Sequence, residues 1–114
     1  MKAIKIDSKN KTIEQVEVKD WRDISPLIGC GTFTVAMSLE NEDTIYVDDE
    51  GLLTLGRDST FFEFEGGHQP FAGNGLILGC DEEGESCDVK TSIEEIKNKV
   101  KFLSIEDVYF RGLG

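Results

Sequence analysis

The sequence predicts an α+β fold: a mainly antiparallel sheet with an N-terminal β-hairpin, one short helix and one C-terminal amphipathic helix. Three observations carry this reading. Apolar residues gather in short runs that alternate with polar ones or are rich in β-branched and aromatic types, as strands require. Turn residues separate these runs closely, so neighbouring strands pair antiparallel rather than through long crossovers. Only two stretches show helical spacing with plausible caps.

Residues 1–7 place Ile4 and Ile6 on one face of a first strand, and Ser8-Lys9-Asn10 is turn material. Residues 11–19 carry Val16 and Val18 opposite Glu17, completing the hairpin. Asp20 then suits a helix cap, with Trp21, Ile24 and Ile28 at helical spacing and Gly29 as a left-handed stop. Pro26 divides the reading, because Ser25 as a cap with Pro26 in the first turn is an equal alternative. Residues 32–39, 44–47 and 52–55 read as strands, the last two joined by a turn at Asp49-Glu50-Gly51. In residues 61–65, Phe62 and Phe64 oppose Glu63 and Glu65. Residues 75–78 form a continuous apolar run, as in a strand buried on both faces. After an acidic, flexible loop at 81–88, Thr91 and Ser92 each begin a capping box. The helix they open carries Ile93, Ile96, Val100 and Leu103 as its stripe. Residues 105–110 suit either an edge strand or a helical turn.

At 114 residues the chain is expected to be one domain, 1–114, and its seven Phe supply a small core. Its net charge of −11 is local. Residues 41–88 hold thirteen acidic residues against one basic residue, Arg57, a net of −12, and the rest is close to neutral. Such a balance repels phosphate backbones, which argues against direct nucleic-acid binding. No apolar run is long enough to span a membrane, and the N-terminus does not resemble a secretion signal. Cys30, Cys80 and Cys87 then read as reduced thiols of a cytoplasmic protein, although Cys80 and Cys87 flank a loop short enough to let them bridge.

Two stretches offer chemistry. The Gly-rich segment 65–75 contains His68, the one side chain titrating near neutrality, beside Gln69, Phe71 and Asn74. Those four residues form the candidate ligand site, and a tight strand connection is the plainer reading. The segment leads into a strand and has no nearby Lys, so it is not a phosphate loop of the familiar kind. Asp48, Asp49, Glu50, Glu63, Glu65, Asp81, Glu82, Glu83 and Glu85 form the candidate interaction surface. Their spacing does not match an EF-hand, so no metal and no cofactor is expected. No nucleophile elbow or zinc-protease motif occurs, which leaves the case for an enzyme thin.

Leu27-Ile28-Gly29, Tyr46-Val47-Asp48-Asp49-Glu50-Gly51 and the run from Gly73 to Gly84 give a family resemblance. In this order they resemble small uncharacterised proteins carried by phages, plasmids and their hosts, in which a "vNEEGkl" segment precedes "GxxvilG". The resemblance spans roughly residues 3–84. It implies a small α+β domain in a mobile-element setting and assigns no catalytic residue. The leading expectation is therefore an interaction protein that offers residues 41–88 to a partner with a basic surface, in one variant as a DNA mimic. The alternatives are a small-ligand binder or enzyme built on the His68 segment, and a homo-oligomeric structural protein joined through exposed Phe62, Phe64 and edge strands.

Overall fold

The computed structural model describes residues 1–50, 59–67 and 69–108. β1 (Lys2–Asp7) and β2 (Thr12–Glu17) form the expected hairpin, paired from Lys2 with Glu17 to Asp7 with Thr12. Its turn is fixed by Asp7, whose carboxylate accepts from Asn10 N at 3.0 Å and from Asn10 Nδ2 at 2.8 Å. The two alternatives around Pro26 are both realised in part. Asp20 caps a 3-10 turn at Trp21–Asp23, and α1 (Ile24–Ile28) follows with Pro26 in its first turn, where no amide hydrogen is required. Gly29 ends α1 in the left-handed region at φ 83°. Trp21 departs from its expected place on the apolar stripe, since it is 66% exposed and lies beside the Arg22 guanidinium.

β3 (Phe33–Ser38) and β4 (Thr44–Asp48) pair with a bulge between Val35 and Met37. β5 (Thr60–Phe64), β6 (Phe71–Ala72), β7 (Gly75–Cys80) and β8 (Ser86–Cys87) follow, then α2 (Ile93–Lys99) and β9 (Val100–Ser104). The larger sheet runs β2-β1-β7-β4-β3, with β8 also on β7, and the smaller runs β6-β5-β9. Every described pairing is antiparallel. The 81–88 loop, expected to be flexible, is a hairpin between β7 and β8.

β7 is central, and its alternation fixes the layers. Ile77 joins Ile4, Ile6, Ile45, Val47, Phe62, Phe64 and Ile96 in the main core between the sheets. Leu76 and Leu78 face the other way, onto Ala3, Val18, Ile24 and Ile28, so α1 covers that face. Phe61 points away from Phe62 into a third cluster with Ala72 and Leu103. Phe62 and Phe64 are 0% and 1% exposed, so they cannot form the seam of a homo-oligomer. Burial of each such side chain contributes about 1.5–3 kcal/mol, which is why β5 turns both into the core.

The C-terminal helix is shorter than its stripe implied. Ser92 caps it by accepting from Glu95 N at 3.2 Å, but Val100 and Leu103 belong to β9. Pairing of Val100 with Phe64 and Leu103 with Phe61 satisfies the backbone and buries the same side chains. Residues 105–108 then form a helical turn, the second of the two expectations for that segment. The predicted strand at 52–55, the turn residue Gly51 and residues 109–110 lie outside the described residues.

Candidate functional site

The register of β4 on β7 decides where the acidic residues lie. Thr44 pairs with Leu78 and Val47 with Gly75. Asp48, Asp49 and Glu50 therefore leave the sheet at the end where β7 begins, and Asp81–Glu85 leave at the end where it finishes. At the strand rise, these ends are about 20 Å apart. Glu63 lies elsewhere again, on β5 in register with Lys101 of β9. The nine acidic residues read as one surface thus fall into separate places, because antiparallel pairing sends successive turns to opposite ends.

At the end where β7 finishes, carboxylates of the described residues line grooves. There, a groove of about 540 Å³ runs between the β3–β4 turn, the end of β5 and α2. The half-buried Met37 and Leu39 supply apolar lining, Phe64 borders it from within the core, and Glu40, Glu65 and Glu95 line it with carboxylates. A second groove of about 520 Å³ shares Ser38 and Leu39 with the first and adds Glu42, Asp81 and Glu82. The two depressions therefore adjoin on either side of the β3–β4 turn. Lys99 lines the first groove and lies 4.0 Å from Glu95, and the Lys90 ammonium stands on the carbonyls of Asn41 and Cys80, one lining residue of each groove. Glu40, Glu42, Glu65 and Glu82 are exposed, and none has a cationic partner among the described residues.

Backbone hydrogen bonds hold these carboxylates out. Asp81 Oδ1 accepts from Glu83 N and Glu85 N, each at 2.9 Å, and Gly84 adopts φ 83°, so Glu82, Glu83 and Glu85 project from a closed turn. The β3–β4 turn is clamped by Asp43, which is 0% exposed. Its carboxylate accepts from Lys90 N at 3.1 Å, Thr91 N at 2.8 Å and Thr91 Oγ1 at 2.6 Å. Asn41 Nδ2 donates to Thr91 Oγ1 at 2.9 Å, and Lys90 Nζ donates to the Asn41 and Cys80 carbonyls. Asp43 is thus a structural clasp between the turn and the start of α2. Sequence reasoning passed over Asp43 as a structural group. It also left Glu40 and Glu95 out, because both lie outside the 41–88 window in which charge was counted.

Residues 1–101 match the family described as a domain of unknown function, DUF3846. The chain belongs to this family. The match extends beyond the segment that carried the sequence resemblance. No curated protein and no solved structure matches the chain.

In this DUF3846 domain the described candidates of the Gly-rich segment, Gln69, Phe71 and Asn74, fall in two places. His68 lies outside the described residues. Asn74 turns to the hairpin, where its Oδ1 accepts from Ser8 N at 2.9 Å. Gln69 and Phe71 line a smaller depression of about 250 Å³ against Thr34, Ala36 and Val47. Close approach through a glycine does occur, but to the core: a Cβ on Gly75 would sit 2.6 Å from Phe62 Cζ. Glycine is required there for packing, not for a ligand.

All three cysteines are free thiols. Cys80 pairs with Ser86 and Gly79 with Cys87, so Cys80 and Cys87 project from opposite faces of their hairpin. Burial pushes the Cys30 thiol upward, and the nearby Asp48 carboxylate adds to the rise, so Cys30 is a poor nucleophile. Among the described residues, no three His, Cys, Asp or Glu side chains are grouped to hold a metal ion. No helix there is long and apolar enough to cross a membrane.

Proposed function

We propose that this chain is a cytoplasmic protein-interaction module, without catalysis of its own, that presents the acidic end of its larger sheet to a partner with a basic surface. The observation that carries this reading is the convergence of Glu40, Glu42, Glu65, Asp81, Glu82 and Glu95 on two adjoining grooves, against which the described residues set Lys99 in the lining and the Lys90 ammonium on the Asn41 and Cys80 carbonyls. Gathering like charges costs folding free energy, so a fold that does so favours a cationic counterpart. The resemblance to phage- and plasmid-borne proteins extends the proposal to a mobile-element setting.

Capture from a lysate of the source organism, compared between the wild type and a Glu82→Gln, Glu83→Gln, Glu85→Gln variant, tests it. The expected outcome is a basic protein retained by the wild type, released by raised salt and lost from the triple variant. Equal retention by Asp49→Asn, Glu50→Gln confirms that the acidic end, not its opposite, makes the contact. A partner retained equally by the triple variant overturns the reading.

A further inference from the structure

We infer that the outer edge of β3 accepts an extended segment of the partner as an added strand, a segment of alternating apolar residues with Lys or Arg at its ends. This rests on the reading above and names how the partner is held. The edge is open. β3 ends the larger sheet, and among the described residues no backbone hydrogen bond reaches its outer side. The bond from Asp49 N to the Thr32 carbonyl sets the phase of β3 on β4. Thr32 and Thr34 therefore turn their amide and carbonyl groups to β4, while Phe33 and Val35 turn theirs outward.

The edge also lacks the charges that guard natural sheet edges. β2 carries Glu14 and Glu17, β9 carries Lys101, and β6 and β8 are only two residues each. β3 has no charged residue and no proline. Its bulge at Ala36 leaves Phe33–Val35 in regular register, and Val35 stands 54% exposed. Beside this edge lies a depression of about 250 Å³ lined by Thr34, Ala36, Pro70 and Phe71, which gives alternate side chains of an added strand a place to enter.

Charge selects the occupant. No Lys or Arg occurs between Arg22 and Arg57, and Glu40, Glu42, Asp48, Asp49 and Glu50 flank the β3–β4 pair at its two ends. The Lys90 ammonium, on the Asn41 carbonyl, offsets part of this at one end. A second copy of β3 brings acidic ends together in either orientation, and like charges so juxtaposed cost affinity. A strand with a basic residue at each end meets carboxylates at both. Past Ser38 it reaches the groove lined by Glu42, Asp81 and Glu82, so the edge and the acidic end form one continuous surface.

The test titrates a capped Arg-Thr-Val-Thr-Val-Arg peptide into the full chain and follows amide hydrogen exchange by NMR. With the peptide at about ten times its dissociation constant, exchange at Phe33 and Val35 is expected to slow about tenfold, because it then runs from the free fraction. A Glu-Thr-Val-Thr-Val-Glu peptide is expected to give no protection. Val35→Pro removes an outward amide that β4 does not use, a position where an edge strand tolerates proline. It is expected to abolish protection at Phe33, whereas Val35→Thr keeps it. Val35→Lys, a charge of the guarding kind, is expected to weaken the peptide about fivefold and decides the matter if the proline variant fails to fold. Absence of protection by the basic peptide overturns the inference, as do equal protection by the acidic peptide and protection that survives both Val35→Pro and Val35→Lys. Protection that appears without peptide as the chain is concentrated makes the occupant a second copy and overturns it too. If the edge stays unprotected while salt-sensitive capture of a basic protein persists, the strand is wrong and the interaction reading stands. If the peptide protects the edge while no basic protein is captured, the edge accepts strands and the reading of a basic protein partner fails.

Discussion

The two ends of the β4–β7 strand pair treat polar groups in opposite ways. At the end where β7 begins, uncharged polar groups are absorbed by the fold while Asp49 and Glu50 stay exposed: Ser8, 1% exposed, contacts Thr60 Oγ1 at 2.7 Å and the Gly73 carbonyl, and Asn74 closes onto Ser8 N. At the other end one carboxylate, Asp43, is absorbed in the same manner, but Glu40, Glu42, Glu65, Glu82 and Glu95 around it face water. The difference teaches that a carboxylate's role follows from the amide hydrogens available to it. Asp43 meets two backbone amides and a hydroxyl and becomes structure. Its neighbours meet none and remain surface.

Removing the clasp is expected to do most to break this contrast. Asp43→Ala strips partners from the Lys90 and Thr91 amides and is expected to cost about 3 kcal/mol by denaturant unfolding, since buried donors left unsatisfied carry their full desolvation penalty. A loss under about 0.5 kcal/mol, the range of ordinary surface changes, places Asp43 with its exposed neighbours. Gly75→Ala attacks the opposite end, where the added Cβ meets Phe62 Cζ at 2.6 Å inside a closed core. Overpacking of this kind is expected to cost about 1–3 kcal/mol, read as a lowered Tm.

Asp7→Asn sharpens the comparison by pH. Burial raises the Asp7 pKa, but hydrogen bonds from Asn10 and the charge of Lys5 outweigh it and hold it below the ordinary aspartate value. The ionised form is thus favoured by folding. Its contribution is fully present above the unfolded pKa of about 3.9 and is lost as pH falls through the lower folded value. The stability gap between wild type and Asp7→Asn is therefore expected to be constant from pH 7 to 5 and to close below about pH 4. A gap that stays level to pH 2.5 removes the charged role of Asp7. The smallest effect is expected from Glu40→Gln, Glu65→Gln, within about 0.5 kcal/mol of the wild type by thermal unfolding. A larger loss makes those carboxylates part of the fold.

Local pattern made the hairpin, the capped start of α2 and the doubly buried β7 legible in the sequence. Ile93, Ile96, Val100 and Leu103 misled because an apolar stripe of helical period also serves a strand once a partner such as β5 is present. Trp21 misled because helical spacing marks a face without guaranteeing that anything covers it. The acidic residues were legible as a count and not as a place. Whether Asp48 and Asp81 share an end depends on the β4–β7 register, and the clasp joins Asp43 to Thr91 across 48 positions. Neither relation leaves a trace in neighbouring residues.

The central position of β7 also governs the order in which this chain is able to fold during synthesis. The β1–β2 and β3–β4 hairpins close locally, but β1 and β4 are brought together only when Gly75–Leu78 enters between them. Until residue 78 has left the ribosome, both hairpins carry an unpaired inner edge lined by Ile4, Ile6, Ile45 and Val47. Such edges readily pair with the wrong strand, and closing them across so much chain is slow. For this protein the hazardous interval therefore lasts until β7 has emerged, and β7 is the piece that ends it.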